Sequence, residues 1–200
     1  MQRFINFICQ ARVPKNYDMK LIAFVSIITL LVGCTKTNNP QEIIPIPNGD
    51  FENWDNSLTL LSWQANSCPL CVQAIERYIV IKDPNSYNGL FAAKFIYNNS
   101  FTAWAINNFS IPKHPSIMTG YVKSNMISMD TVRINISLYK NMVLVDSGSW
   151  VNVSSIANYT KIDIPISQNS SDADSALIRI EGGKKTGTEF WVDNLYLVKN

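Results

Sequence analysis

The chain has 200 residues, of which 46% are hydrophobic and 16% are charged. This composition suits one globular domain with an additional tail or signal segment. The formal net charge of +2 includes an N-terminal segment that we expect to be removed, and without residues 1–33 the chain has 13 basic and 14 acidic residues. Such a balance leaves no basic field, which excludes electrostatic binding to nucleic acid or to an anionic membrane surface.

The first feature along the chain is the segment 19–34, which has a short basic start and an apolar stretch of signal-peptide layout. The apolar stretch is shorter than the roughly 20 residues of a membrane span. Its ending, Leu31-Val32-Gly33-Cys34, resembles the lipobox of bacterial lipoproteins. The resemblance implies cleavage after residue 33 and a diacylglycerol on the Cys34 thiol, with an ordinary secretory signal as the alternative. Because Met19 is a suitable start for such a signal, residues 1–18 are interpreted as an over-extended gene start.

The residues that follow the cysteine predict an address and a tether. Buried acyl chains contribute about 0.8 kcal/mol per CH₂, so several chains anchor a protein stably. Thr35 follows Cys34, whereas in the familiar sorting rule an acid there favours retention in the inner membrane. We therefore predict an outer-membrane lipoprotein, facing either the periplasm or the cell surface. Residues 34–46 are polar and then interrupted by prolines, which predicts a tether, and the domain is predicted to cover residues 47–200.

Cys68 and Cys71 form a C-x-x-C pair ahead of a segment that could begin a helix. Thioredoxin-like redox sites have this form, because a helix N-terminus lowers the pKa of a thiol. The βαβ context of such sites is absent from the pattern around the pair. We therefore predict a local disulfide in an oxidising envelope, with thiol redox activity as the less favoured alternative.

Most of the remaining chain alternates between apolar and polar residues with a period of two. In the segment 130–140, for example, Val132, Ile134, Ile136 and Leu138 fall on one face, and the residues between them are polar. The predicted strands lie in the ranges 89–97, 101–109, 117–124, 130–140, 142–151, 160–166, 175–181 and 190–198. Turn clusters separate them and leave little room for crossover helices. The sequence therefore predicts an all-β fold, an antiparallel two-sheet β-sandwich.

Several short motifs add a family resemblance to this pattern. The segment 48–52, "NGDFE", is followed by Trp54 and Trp63, and later come "SYNGLFAAKF", "TGYVKS" and "GTEFWVDNLYLV". In this order they resemble the carbohydrate-binding-module-like jelly rolls, which are galactose-binding-like sandwiches. The resemblance covers nearly the whole domain from residue 47 onward. It implies a jelly roll that binds glycans without cutting them.

The two ends of such a sandwich lie near each other, so Glu52 and Asp193 are expected to converge. Two carboxylates in a partly buried place repel, and one would be protonated unless a cation neutralised them. Calcium takes about 6–8 oxygen ligands and meets that need. In the family that the motifs resemble, a structural calcium often sits here, and Asn48 and Asp50 could supply further oxygens. The alternative is that Glu52 and Asp193 accept backbone N–H groups and bind no metal.

Sugars bind to proteins through aromatic rings that stack on their C–H faces, flanked by hydrogen-bonding side chains. On strands with a polar face, the tentative ligand-binding residues are Trp104, Tyr121, Lys123, Arg133 and Tyr139. The other tryptophans considered, Trp54, Trp63 and Trp191, are interpreted as packing residues.

Catalysis has little support in the sequence. The only histidine, His114, is flanked by prolines and is expected to be exposed, so a zinc cluster or a Ser-His-Asp triad has no second histidine to use. No recognisable carboxylate pair suggests a glycosidase. We therefore predict a non-enzymatic envelope lipoprotein with a glycan-binding module, whose partner is a polysaccharide. The alternative is a structural, adhesin or protein-interaction subunit of an outer-membrane complex.

Overall fold

The alternating segments of the sequence form two antiparallel sheets. A computed structural model describes residues 41–56, 58–66, 79–97, 102–169 and 172–199, which contain eleven β-strands and no α-helix. Within these ranges no helix has the length and apolar character that crossing a membrane requires. The predicted gene start, signal peptide, Cys34 and the Cys68–Cys71 pair lie outside the described residues, so their assignments stay predictions.

One sheet has six strands and the other has five. The six-stranded sheet contains β1 (Glu42–Pro45), β3 (Val80–Asp83), β4 (Ala92–Ile96), β6 (Ile117–Asn125), β9 (Ile156–Pro165) and β11 (Glu189–Lys199). The five-stranded sheet contains β2 (Gln64–Ala65), β5 (Trp104–Ser110), β7 (Val132–Lys140), β8 (Val143–Asn152) and β10 (Ser175–Glu181). The strand orders are β3-β4-β11-β6-β9, with β1 paired to β11, and β2-β5-β10-β7-β8.

The apolar faces of the two sheets form one core. The predicted inward residues of β7 and β10 are buried, as are those of β9. They pack in one cluster with Phe95 and Phe190 of the other sheet. Fully burying such a side chain stabilises a fold by about 1.5–3 kcal/mol. The predicted all-β, two-sheet sandwich is therefore confirmed.

The N-terminal segment of the domain pairs with its last strand. Glu42 lies opposite Lys199 in an antiparallel register, and the backbone N–H of Leu195 donates to the carbonyl of Gly49 over 2.7 Å. The predicted tether boundary at residue 46 was therefore wrong, because Ile44 and Ile46 are buried in the core and the compact unit begins at Gln41. A proline is tolerated at the end of β1, where its missing N–H interrupts little of the ladder.

A bulge in β11 decides which side chains point outward near the end of the chain. Between Asp193 and Tyr196 the register with β6 shifts, and Asn194 has a φ of 49°. The extra residue allows both Val192 and Leu195 to stay in the core. Asp193, which precedes the extra residue, points to the outer side of the sheet by regular alternation from Val192.

Candidate functional site

The outward side chains of the five-stranded sheet form a polar surface with one tryptophan. Across neighbouring strands Glu181 pairs with Trp104 on one side and with Arg133 on the other, and in the next row Arg179 pairs with Asn135. Residues two apart along a strand share a face, so these rows lie on the same side of the sheet. We call this surface the open face, and its residues are Trp104, Arg133, Asn135, Ser137, Tyr139, Ser149, Leu177, Arg179 and Glu181.

A groove lies on the open face, lined by residues of β7, β8 and β10 and by Pro165 and Ser167. Its volume is about 670 Å³, and its lining includes Asn135, Ser137, Ser147, Ser149 and Arg179. The Arg179 Nε donates to the Glu181 Oε1 over 2.6 Å, and the guanidinium carbon lies 5.7 Å from the centre of the Trp104 ring. The Ser149 hydroxyl donates to Asn135 Oδ1 over 2.8 Å. These contacts hold hydrogen-bonding groups in fixed positions beside an aromatic ring.

Three of the five predicted ligand residues lie on this surface. Trp104 was predicted on one strand and Arg133 and Tyr139 on another, and the pairing of β10 with both of these strands brings the three residues to one face. Arg179 and Asn135 were not among the predicted ligand residues, although both lie on the polar sides of predicted strands. Their relevance depends on which strands are neighbours, which a single alternating segment does not reveal.

The other two predicted ligand residues lie on the opposite side of the sandwich. Tyr121 and Lys123 point outward from β6, on a surface that we call the covered face, formed by Lys94, Tyr121, Lys123, Trp191 and Asp193. The Tyr87 ring stacks on Tyr121 with centroids 3.5 Å apart, and the Lys123 Nζ lies 4.7 Å from the centre of the Trp191 ring. One site made of all five predicted residues is therefore ruled out, because the two groups belong to different sheets.

Asp193 and Glu52 converge, as expected, on the same loop. Asp193 is fully buried, and its Oδ2 accepts the backbone N–H groups of Tyr87 and Asn88 over 2.7 and 3.0 Å. The Glu52 Oε1 accepts the N–H groups of Leu90 and Phe91 over 2.8 and 3.0 Å. Gly89 lies between these two anchors with a φ of +78°, and a Cβ there would collide with the Glu52 carboxylate. The two acids together fix the loop from Tyr87 to Phe91.

The burial of Asp193 has an electrostatic consequence. Burial raises the pKa of this carboxyl to about 6, with a smaller contribution from the nearby Glu52 charge and against the backbone N–H groups that lower it. Burial also raises the pKa of Tyr159, with smaller contributions from Asp193 and Asp83.

The described oxygen atoms of the four predicted metal ligands do not form a coordination shell that suits calcium. The described oxygens of Asp193 and Glu52 face the positive ends of N–H groups, where a cation would be repelled. The Asn48 amide is used within its own turn, donating to the carbonyls of Asn53 and Leu61 over 2.9 and 2.8 Å, and Asp50 is exposed. The described part of the chain has no group of three or more acidic, histidine or cysteine side chains that could hold a metal. The arrangement corresponds to the hydrogen-bonding alternative, and calcium stays a prediction.

The expectation that His114 is exposed was wrong. Its side chain is buried, and its Nε2 lies 2.7 Å from the Asp146 Oδ2 on β8. The other oxygen, Oδ1, accepts the Ser167 hydroxyl and the backbone N–H of Asn169 over 3.1 and 2.8 Å. This pair ties the connection between β5 and β6 to the edge of the five-stranded sheet. A proline-flanked position does not reveal such a partner, because Asp146 is 32 residues away.

Comparisons with known proteins give the fold. No protein-family model matches the sequence, and no curated protein sequence matches it. Among solved structures, TmCBM61 in complex with β-1,4-galactotriose is similar with a TM-score of 0.54 at 14% identity, covering 78% of this chain and 97% of that one. A cyclase from Fischerella sp. TAU is similar with a TM-score of 0.50 at 16% identity, covering 78% and 96%.

A third solved structure, described as a putative glycoside hydrolase from Bacteroides vulgatus, has a TM-score of 0.50 at 10% identity and covers 61% of this chain and 78% of that one. The domain therefore has the jelly-roll fold of carbohydrate-binding-module-like sandwiches. The same fold occurs in a binding module and in a cyclase, so function has to be argued from the site.

Proposed function

We propose that the chain is a non-catalytic glycan-binding module of an envelope protein anchored through lipid at Cys34. The open face carries the proposal, because it places the Trp104 ring beside Arg179, which also lines a groove of hydrogen-bonding side chains. A sugar stacked on Trp104 would place its hydroxyls within reach of Arg179 and Glu181. Strands in a sheet are about 4.8 Å apart, so the row from Trp104 through Glu181 to Arg133 spans roughly a disaccharide.

The same surface argues for binding rather than hydrolysis. A glycosidase needs two carboxyl groups about 5–10 Å apart across the scissile bond. The described outward residues of the strands that form the open face include a single carboxylate, Glu181, and Arg179 holds it in an ion pair. A sugar bound there would meet hydrogen-bond donors and acceptors but no second acid. We therefore infer that the sugar is bound and released without hydrolysis.

The proposal is tested by affinity gel electrophoresis of the full-length chain. The gels contain soluble β-1,4-galactan, mixed-linked β-glucan or xylan, and the galactotriose-bound neighbour makes the galactan the first choice. We expect at least one polysaccharide to retard the chain. Trp104→Ala is expected to weaken binding about tenfold.

Matched variants separate the site from general effects. Arg133→Ala on the open face is expected to weaken binding, whereas Lys113→Ala removes an equal charge from an exposed ion pair that belongs to neither outer face and should leave the retardation unchanged. If no gel retards the chain, or if Trp104→Ala migrates as the wild type does, the open face is not a glycan site.

The lipid anchor is a separate part of the proposal and has its own test. Labelling of expressing bacteria with an alkyne fatty acid should tag the wild-type chain and fail to tag Cys34→Ala. Fractionation should then place the labelled chain in the outer membrane. Label that persists in Cys34→Ala would contradict attachment at that residue.

One observation favours the second function, a protein-interaction subunit. The hairpin between β7 and β8 exposes three consecutive apolar side chains, and Met142 is 94% exposed, followed by Val143 and Leu144. Exposed apolar groups of this kind are used in protein contacts. A stoichiometric membrane protein that the wild type retains in the presence of competing glycan, and that Met142→Ser with Leu144→Ser loses, would support this function.

A further inference from the structure

The covered face presents a second exposed aromatic platform, formed by Tyr87, Tyr121 and Tyr159. Tyr87 and Tyr121 stack with ring centroids 3.5 Å apart and an interplanar angle of 10°. Tyr159 meets Tyr87 at 60° with centroids 6.1 Å apart. Tyr87 is 45% exposed although Tyr121 stacks on one face of its ring, so part of the residue stays open to solvent.

This platform is held rigidly by contacts to two acids, the buried Asp193 and the partly exposed Glu52. The backbone N–H groups of Tyr87 and Asn88 are bound by Asp193, and the far end of the loop is bound by Glu52. The Tyr159 hydroxyl donates to the carbonyl of Asn85 over 2.5 Å. A ring fixed in this way loses little conformational entropy when a ligand stacks on it, which favours binding.

The surroundings of the rings are polar and carry charges of both signs. Asn88, the residue after Tyr87, is exposed and supplies an amide group. Lys161 forms an ion pair with Asp163 over 3.1 Å, and the Asp83 carboxylate accepts the N–H of Asn85. A hydrogen bond with the Tyr121 side chain raises the pKa of Tyr87. A ligand that suits this place is neutral, with apolar faces and hydroxyl groups at its edges.

We propose that the Tyr87–Tyr121 platform is a second binding site for a neutral polysaccharide, on the side of the sandwich opposite the groove. The choice of a polysaccharide as the ligand rests on the proposed glycan-binding function. Two sites on opposite outer surfaces let one domain hold two polysaccharide chains, or two segments of one chain. In a gel that contains a polymer, the two sites then reinforce each other through a high effective concentration.

The experiment compares single and double variants of the full-length chain in the polysaccharide gels described above. We expect Tyr87→Ala to weaken binding about fivefold to tenfold, as an avidity effect. Trp104→Ala should keep a residual retardation, and the double variant Trp104→Ala/Tyr87→Ala should lose it. Tyr87→Phe keeps the ring and should bind nearly as the wild type does, and Leu90→Ala changes the same loop without removing an aromatic ring and should also bind normally.

A second measurement follows the two sites with an oligosaccharide. Titration of β-1,4-galactotriose, or of the trisaccharide of whichever polymer retards the chain, should shift separate sets of NMR resonances on the two faces. Far-ultraviolet circular dichroism of each variant shows whether the fold is kept. Should Tyr87→Ala unfold, Tyr87→Leu takes its place, because it removes the aromatic ring and keeps an apolar side chain.

The outcomes distinguish the two proposals. If Trp104→Ala abolishes binding and Tyr87→Ala has no effect, the groove is the glycan site and the second site does not exist. If Tyr87→Ala abolishes binding and Trp104→Ala has no effect, the platform is supported and the open face is not the site. If the wild type binds none of the polymers, both proposals are overturned. If Tyr87→Phe binds as weakly as Tyr87→Ala, the platform proposal alone is overturned.

Discussion

The two outer faces of this sandwich are built from the same alternating pattern of residues, but they differ in how far loops cover them. On the five-stranded sheet the outward side chains stay in contact with solvent and line a groove. On the six-stranded sheet a loop that begins before Tyr87 folds over Asp193, and Tyr87 covers Tyr121. The difference comes from the two acids, because their bonds to backbone N–H groups hold the loop against the sheet.

The comparison shows that burial of a strand's outer side depends on the loops and not on the strand's own residues. Tyr121 and Arg133 both occupy outward positions of their strands. Only Tyr121 is covered, because the loop between β3 and β4 reaches it. Each of the following experiments changes one side of this contrast, beginning with the largest expected effect.

The open face depends on the contact between His114 and Asp146 at its β8 edge. Removing one partner of a buried hydrogen bond typically costs about 1–3 kcal/mol, and more when the group that stays buried is charged, as a carboxylate is. We expect His114→Ala to lower the free energy of unfolding by about 3 kcal/mol in urea denaturation, because Asp146 stays buried and loses one hydrogen-bond partner. Lys113→Ala breaks an exposed ion pair with Glu42 beside it and should cost less than about 1 kcal/mol. Equal effects of the two variants would show that the buried contact has no special role.

The covered face should give the stability a characteristic pH dependence. The pKa of Asp193 rises from 3.8 to about 6 on folding. A raised carboxyl pKa means that the folded state binds the proton more tightly than the unfolded state does. The contribution of Asp193 to the free energy of unfolding is therefore complete below pH 3.8 and is lost as the pH rises through about 6. At about 1.4 kcal/mol per unit of pKa, the loss is up to about 3 kcal/mol.

The measurement is the difference between the wild type and Asp193→Asn in the free energy of unfolding at pH 4, 5, 6 and 7. The value for the wild type minus the value for Asp193→Asn is expected to decrease as the pH rises. The contributions of other groups that titrate in both proteins cancel in this difference. A flat difference would show that the N–H groups around Asp193 fully compensate its burial.

A smaller effect is expected at the hairpin beside the open face. Asn141 and Met142 have φ values of 50° and 67°, and two-residue turns with two positive φ values prefer glycine at the second position. Met142→Gly should therefore raise the free energy of unfolding by about 0.5 kcal/mol, after the loss of chain entropy that glycine brings. Asn141→Gly is the control and should change less, because asparagine tolerates this conformation. A destabilised Met142→Gly would show that the methionine side chain makes contacts that matter.

The smallest effect is expected from a chelator. Because the described oxygens of Glu52 and Asp193 already accept backbone N–H groups, EDTA should change the melting temperature by less than about 1 °C, and added calcium should not raise it. A rise of several degrees with calcium, abolished in Glu52→Gln, would show that the loop rearranges around a bound ion. The covered face would then be held by a metal rather than by hydrogen bonds alone.

The sequence was sufficient to predict the strands from β4 onward, and most clearly β7, β9 and β10, whose inward positions carry Val, Ile, Leu or Ala at a spacing of two. It did not reveal β1, where Pro45 and a polar flank hide the buried Ile44. The bulge at Asn194 was also invisible, since a one-residue insertion changes the period only locally. The two-sheet fold follows from many weak signals, whereas these details depend on single residues and their partners.

The candidate site was predictable only in part. Alternation identifies Trp104 and Arg133 as outward residues, but it does not say that they lie two strands apart in one sheet while Tyr121 lies in the other. That information is in the pairing of β10 with both β5 and β7, which joins segments far apart along the chain. The contact between His114 and Asp146 escaped prediction for the same reason.

The pairing of Glu42 with Lys199 also bears on how the domain can be engineered. Opposed residues of an antiparallel pair lie about 5 Å apart, so a short peptide could join these two positions. New termini could then be opened at the exposed turn between Asn141 and Met142, and every strand pairing would be retained. Such a circularly permuted domain would present both of its ends at the tip of the β7–β8 hairpin, where a surface display scaffold or a reporter could be attached far from the original termini in sequence.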